Sequence, residues 1–317
     1  MKKLFVMTLA VAALASCSKV EPIEPGYKSA IGFGKSFVDN TTKALIEGED
    51  DLKDSSFAVW GSEQQEGQLA VSIFDAEKIT WSDSTSAWGY ATQARYWHMN
   101  HQFKFAAVAP FSANTTVTEE NFLPKTATYT LQPALANQVD LLYAAMDVKP
   151  TTDNYATPVE FTFNHMLAKV DFKVINSYSA DYTVVIDSLK ITAAKDATVT
   201  FATANAQWKD HANTVEIPFT VDEVLPTKSN KSNEQSLIIP KATTDPAYIV
   251  DGTATVMMNG TTPIKVYDLD FELKGAFLAG YHYTLVATIE PTKPIQFDVD
   301  VVNGFQNASD TNINNNN

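Results

Sequence analysis

The chain has 317 residues, a formal net charge of −14 and a hydrophobic fraction of 45%. This apolar content is sufficient for ordinary cores and excludes a disordered chain, and the length predicts two domains of usual size. The acidic balance excludes a nucleic-acid-binding function, because phosphate recognition needs clustered Lys and Arg. Arg95 is the sole arginine, so bidentate recognition of anions by arginine is nearly excluded as well.

A hydrophobic leader opens the chain and ends in Leu14-Ala15-Ser16-Cys17. Two lysines precede an apolar run that is too short to span a bilayer as a helix, a layout typical of a secretory signal. The leader resembles a bacterial lipoprotein signal, which is cleaved before a cysteine that then carries fatty acyl chains such as palmitate. We therefore predict a signal peptide over residues 1–16, cleavage between Ser16 and Cys17, and lipid on Cys17. The alternative is an ordinary signal peptide followed by an incidental cysteine.

Residues 17–44 predict a lipidated tether that carries one short strand. The strand spans residues 30–38, where Ile31, Phe33 and Phe37 share one face and small residues share the other. One bulky face and one nearly flat face would let this strand fill a groove while it lies close to a neighbouring strand.

The body of the chain alternates short runs of β-branched and aromatic residues with turn residues, and no long helical pattern interrupts them. This rhythm predicts an all-β, sandwich-like protein. Apolar residues occupy odd-numbered positions before Asn164 and His165 and even-numbered positions after them. Because side chains on a strand alternate with a period of two, either a bulge lies there or the chain passes from one sandwich into another.

We place the domain boundary close to this switch, near residue 158. The division predicts an N-terminal sandwich over residues 45–158, which also contains the strand at 30–38, and a C-terminal sandwich over 159–305. Residues 306–317, which end in an asparagine run, predict a disordered tail. His165 is predicted to be a buried, hydrogen-bonded core residue rather than a catalyst.

Several segments, in this order along the chain, resemble the fimbrillin family of type V pilus subunits and accessory proteins. They are the box that ends at Cys17, the strand at 30–38 with Thr42-Lys43-Ala44 after it, Phe57–Gly61, Gln138–Ala144, Phe163–Val170, Leu278–Leu285 and Ile295–Val299. The resemblance implies two tandem β-sandwich domains of transthyretin-like type. It also implies an outer-membrane lipoprotein at the cell surface that serves as a stalk, tip or anchor subunit of a fimbrium and contributes to adhesion.

The same resemblance implies a route of assembly. In this family an extracellular trypsin-like protease removes the N-terminal strand, and a strand from another fimbrillin subunit fills the groove, a form of β-augmentation. Here residues 30–38 would be expelled after a cut between Lys43 and Ala44. Familiar members are cut after arginine, so either the protease accepts lysine or no cut occurs.

The strand that this chain would lend to another subunit is the last strong one. Its apolar face would carry Ile295, Phe297, Val299 and Val301. If that strand is not lent, the protein is a tip, anchor or accessory subunit instead.

The competing function is a surface lipoprotein adhesin that binds host glycans or proteins without polymerising. The tryptophans of the first half could stack on sugars, but most are expected in the core: Trp60, Trp81, Trp88 and Trp97. His98 and His101 suggest a metal site, yet residues three apart on a strand point to opposite faces, so we expect no convergence and no metal. Phosphate-binding loops and nucleophile elbows are absent from the sequence, so we expect neither an enzyme nor a cofactor.

Overall fold

A computed structural model of the protein describes residues 29–38, 49–111, 115–151, 154–204 and 206–303. Strands dominate these ranges, which confirms the all-β prediction. The described helical segments are α1 (Glu49–Lys53) and a 3-10 turn at Leu135–Asn137. No helix within these ranges has the length and apolar character needed to cross a membrane.

The described residues form nineteen strands, numbered here in chain order. They are β1 (Phe37–Val38), β2 (Ser56–Gln64), β3 (Val71–Ser82), β4 (Ala87–Gly89), β5 (Gln102–Ala109), β6 (Thr115–Glu120), β7 (Leu123–Thr130), β8 (Leu142–Val148), β9 (Thr162–His165), β10 (Ala168–Asn176), β11 (Tyr182–Thr200), β12 (Gln207–Pro218), β13 (Ser229–Lys231), β14 (Ser236–Ile238), β15 (Tyr248–Met258), β16 (Thr262–Asp268), β17 (Phe271–Leu273), β18 (Tyr281–Ile289) and β19 (Gln296–Asn303).

The first sheet has the order β1-β9-β8-β5-β2-β3-β4. Its pairs are antiparallel except for β1 and β9, which run parallel. The inner face holds a core rich in aromatic rings, because alternate positions of its strands carry Phe or Trp. Fully buried rings of this core are Phe57, Phe74, Phe103, Phe105, Phe161 and Phe163.

Two further sheets share a second apolar core. One follows the order β13-β10-β18-β19, with β14 also paired to β10. The other follows the order β16-β15-β11-β7-β6, with β12 paired to β11 and β17 to β15. Phe172 and Leu285 from the first of these sheets and Ile191 and Val250 from the second belong to one buried cluster. The two sheets therefore form a sandwich.

Strand pairing does not divide the chain at residue 158. The hairpin of β6 and β7 pairs with β11, where Thr130 Oγ1 donates a hydrogen bond to Asp196 Oδ1 at 2.7 Å. Conversely, β9 follows residue 158 but belongs to the first sheet, whereas β10 belongs to a sheet of the second core. The chain thus changes sheets between His165 and Ala168, and this crossing, rather than a bulge, is the origin of the switch in apolar phase. The division into two domains remains a prediction.

A buried polar pair marks this crossing. His165 and Asp140 are both buried, and His165 Nδ1 lies 2.7 Å from Asp140 Oδ2. The prediction of a buried, hydrogen-bonded histidine is therefore confirmed. Nearby, the buried Gln138 side chain accepts a hydrogen bond from the backbone N–H of Leu237 at 2.8 Å, which links the connection before β8 to β14.

Gly61 is a point of close packing in the first core. A β-carbon at this position would lie 3.0 Å from ring atoms of both Phe74 and Phe105. We expect Gly61→Val to lower the free energy of unfolding by about 1–3 kcal/mol, because the rings are packed in the core and have no room to retreat. Chemical denaturation with fluorescence detection measures this change.

Gly89 on β4 provides the matched control. It belongs to the same sheet, but a β-carbon there would meet no atom within 4 Å. Gly89→Val should change the free energy of unfolding by less than about 0.5 kcal/mol. Equal destabilisation by the two substitutions would contradict this account of the core.

Candidate functional site

Residues 29–38 join the two ends of the first sheet. Phe33 forms a parallel bridge with Val159, which precedes β9, and an antiparallel bridge with Trp88 on β4. Since β4 ends the sheet and β1 adjoins β9 at its other end, the segment lies between two edges that would otherwise be open. It closes the sheet around the aromatic core.

Backbone hydrogen bonds hold the segment on both sides. On the β9 side, Gly34 N–H donates to Val159 O at 2.9 Å and Val159 N–H donates to Gly32 O at 2.8 Å. On the other side the segment pairs with the connection that precedes β5. Ile31 N–H donates to Arg95 O at 2.7 Å, and Trp97 N–H donates to Ser29 O at 2.9 Å.

The side chains of the segment complete the first core. Ile31 is 1% exposed and Phe33 is 5% exposed. The Phe33 ring lies 5.6–6.4 Å, between centroids, from four other rings: Phe57, Phe74, Tyr90 and Phe161. Burying Ile31 and Phe33 contributes about 3–6 kcal/mol of gross apolar stabilisation. The structure does not describe the side chain of Phe37, the third residue of the predicted face.

On the opposite face of the segment, close packing requires a small residue at only one of the two glycine positions. A β-carbon on Gly34 would lie 2.9 Å from the Glu160 side chain, whereas one on Gly32 would meet nothing within 4 Å. Ser36 is fully buried, and its hydroxyl has no hydrogen-bond partner among the described residues. A buried hydroxyl in that condition costs about 1–3 kcal/mol, so the segment is not an optimal occupant of its own groove.

Strand β19 carries the residues predicted for the lent strand. It pairs with β18 alone among the described strands, so it forms one edge of its sheet. Val299 is buried, and Phe297 stacks on Phe271 with ring centroids 3.8 Å apart. Ile295, Phe297 and Val301 are half-buried against the second core. Phe297 and Phe271 also line a very small apolar cavity between the two sheets.

A buried carboxylate ties together three strands of the same sheet. Asp171 Oδ2 lies 3.2 Å from His282 Nε2 and 3.7 Å from Lys231 Nζ. Burial raises the pKa of Asp171, but the hydrogen bond from His282 and the positive charge of its neighbours outweigh that effect and lower its pKa overall. Strands β10, β18 and β13 each supply one member, so the cluster links three strands of this sheet.

The remaining predicted site residues divide into two groups. Ser16, Cys17, Lys43 and Ala44 lie outside the described residues, so cleavage and lipidation there remain predictions. Three tryptophans are in the core as expected, with Trp60, Trp88 and Trp97 all buried. Trp81 is partly exposed, and its indole N–H donates to Asp83 Oδ1 at 2.8 Å.

The expectation that His98 and His101 point apart is wrong. They lie in a turn rather than on a strand, and both imidazoles contact the carboxylate of Glu63. The sequence reasoning missed Glu63 entirely. The signal that could have located the turn is Asn100, because asparagine adopts the left-handed backbone conformation that tight turns require.

Comparison with solved structures identifies proteins of similar fold. A candidate cell adhesion protein from Bacteroides ovatus aligns at 14% identity and a TM-score of 0.50, with 89% of this chain and 99% of that chain covered. A candidate cell adhesion protein from Bacteroides uniformis aligns at 17% identity and a TM-score of 0.48, with 88% and 98% covered. The fimbrial anchor protein Mfa2 from Porphyromonas gingivalis aligns at 12% identity and a TM-score of 0.33, with 78% and 89% covered. At 14% identity, the likeness to the Bacteroides ovatus protein concerns the fold alone.

Comparison at the level of sequence families gives the assignment. No curated protein matches the chain. A family model described as fimbrillin-like matches residues 40–303, which is most of the chain. This match confirms the resemblance seen in the sequence, and the protein belongs to the fimbrillin-like family.

Proposed function

We propose that the protein is a structural subunit of a type V fimbria, exported as a lipoprotein and assembled at the cell surface by protease-triggered strand exchange. Family membership implies a fimbrial or cell-adhesion protein at the cell surface, structural rather than catalytic. The finer mechanism is supported by one observation, which is that residues 29–38 pair through isolated bridges and β1 with both ends of the first sheet.

Loss of this strand would create an acceptor groove. The aromatic rings that contact Phe33 would face solvent, and two sheet edges would lose their backbone partners. Exposed apolar surface beside unpaired edges is a template for an added strand. A single cut in the chain after residue 38 would leave the segment held by non-covalent contacts alone, so it could be exchanged.

A strand with bulky residues at every second position fits such a groove. Ile31 and Phe33 are spaced by two residues and both point into the first core. Residues Ile295, Phe297, Val299 and Val301 repeat the same spacing along β19. We propose β19 of a second fimbrillin subunit as the replacement strand. To be lent, it must leave its edge position beside β18, where the second core holds it by one face only.

The lipid anchor sits upstream of the exchangeable strand. Residues 18–28 can span at most about 36–40 Å when fully extended, so a lipid on Cys17 would hold the body close to the outer membrane. A cut between Lys43 and Ala44 would separate the body from both the anchor and the strand at 30–38. One proteolytic event would thus release the subunit and open its groove together.

Lys43 is the residue after which the proposed cut occurs. In full-length protein carrying Cys17→Ser, trypsin-like protease should cut between Lys43 and Ala44, and oligomers should follow, alone or with partner fimbrillin subunits. Lys43→Ala should prevent that cut and keep the protein monomeric. Intact-mass analysis locates the new N-terminus, and size-exclusion chromatography with light scattering measures the assembly.

Lys53→Ala is the matched control, because it removes a lysine from α1 without touching the proposed cut. It should be cleaved and should assemble like the parent. If the protein is cut after Lys43, loses residues 30–38 and still stays monomeric with and without partner subunits, the strand-exchange proposal is wrong. The competing function, a non-polymerising adhesin for host glycans or proteins, would then account for the family membership.

Cys17 is the proposed site of lipid attachment. Cys17→Ala should move the protein from the membrane fraction to the soluble fraction, because the chain has no other cysteine to carry lipid. Fractionation of cells and metabolic labelling with a palmitate analogue measure the change. Unchanged membrane retention together with unchanged labelling would contradict lipid attachment at this position.

A further inference from the structure

We infer that Glu63, His98 and His101 form a zinc-binding site at one end of the first sheet. Each residue offers one ligand atom, and these atoms all lie within 4.8 Å of one another. His101 Nδ1 lies 2.6 Å from Glu63 Oε1, and His98 Nδ1 contacts the same oxygen. The site lies next to the connection that pairs with residues 29–31, and the proposal does not depend on the proposed fimbrial function.

A tight turn explains why the two histidines converge. His101 N–H donates to His98 O at 3.4 Å, and Asn100 has a φ of 65°. A left-handed residue at the third position is the requirement of a type II turn, which brings its first and fourth residues together. The imidazole centroids are 5.3 Å apart. Strand β5 begins directly after the turn and pairs with the end of β2, which places Glu63 beside both rings.

The exposure of the three side chains suits an ion that enters from solvent. The Glu63 side chain is only 10% exposed, whereas His98 is 39% and His101 25% exposed. A carboxylate withdrawn from water needs a positive partner to offset the loss of hydration. Two imidazoles at the mouth and a carboxylate at the base leave an open side for the ion and for a water ligand.

The donor set selects the kind of ion. Two imidazole nitrogens and one carboxylate oxygen, with a position left for water, are an established zinc ligand set. Calcium and magnesium prefer oxygen ligands throughout and should bind poorly. Tetrahedral zinc with ligand bonds near 2.0–2.1 Å separates its ligand atoms by about 3.3 Å. Because His101 Nδ1 is only 2.6 Å from Glu63 Oε1, zinc binding requires this nitrogen and this oxygen to move apart.

Binding at this site would also act on the segment that closes the sheet. Residues 95–97, directly before the turn, form the antiparallel partner of residues 29–31. The turn is further held by the hydrogen bond from Asn100 N–H to Pro150 O at 3.3 Å. Zinc that joins the turn to β2 would therefore restrain the strand on which one side of residues 29–38 rests, and should raise the thermal stability of the protein.

Calorimetric titration tests the site. The protein is the full chain with Cys17→Ser, which removes its single thiol, prepared without a polyhistidine tag and dialysed against chelator. Zinc chloride should bind with a stoichiometry of one per chain and raise the melting temperature, whereas calcium and magnesium chloride should do neither. His98→Ala, His101→Ala and Glu63→Gln should each weaken zinc binding by more than about tenfold.

His211→Ala is the matched control. His211 also lies near a carboxylate, with Nδ1 3.7 Å from Asp245 Oδ2, but it is not part of the cluster. This variant should bind zinc like the parent. Circular dichroism of each metal-free variant verifies that it is folded before titration. Absence of zinc binding by the parent, or affinity unchanged in the folded His98 and His101 variants, would overturn the site.

Discussion

Closure of the first sheet by residues 29–34 is the constraint on which the rest of the N-terminal structure depends. The segment forms backbone hydrogen bonds to Val159 on one side and to the connection before β5 on the other, and it inserts Phe33 among four aromatic rings. Without it, the core would lose one wall and the sheet would gain two unpaired edges. The segment fills this place with bulky apolar side chains at alternate positions, Ile31 and Phe33.

The two cores meet where the chain changes sheets, between His165 and Ala168. Phe163 faces the first core, whereas Leu167 and Val170 face the second. The buried pair of His165 and Asp140 lies at this junction, where each side chain gives the other a hydrogen-bond partner. Since the β6–β7 hairpin pairs with β11, the connection between the cores involves more than this single crossing.

Local patterns in the sequence predict the strands. They do not predict which strands pair when those strands lie far apart in the chain. Period-two alternation predicts strands such as β18, and the phase switch at His165 allows either a bulge or a change of sheet, of which the structure has the second. Pairing of β6–β7 with β11 brings together residues such as Thr130 and Asp196, which no local pattern relates. Strand geometry predicts that His98 and His101 diverge, but a turn brings them together, and Glu63 lies far away in sequence. The residues of the anchor and the cut, Cys17 and Lys43, remain predictions.

A reversible covalent lock on residues 29–38 tests the central claim most directly. Ala30 and Tyr96 form an antiparallel bridge flanked by hydrogen bonds, a non-hydrogen-bonded pair whose Cα atoms lie about 4.5 Å apart, within disulfide range. With Cys17→Ser, Ala30→Cys and Tyr96→Cys combined, trypsin-treated protein should stay monomeric when oxidised and assemble, alone or with partner subunits, when reduced. Equal assembly of the oxidised and reduced cut proteins would contradict the claim, because departure of the segment would then be unnecessary.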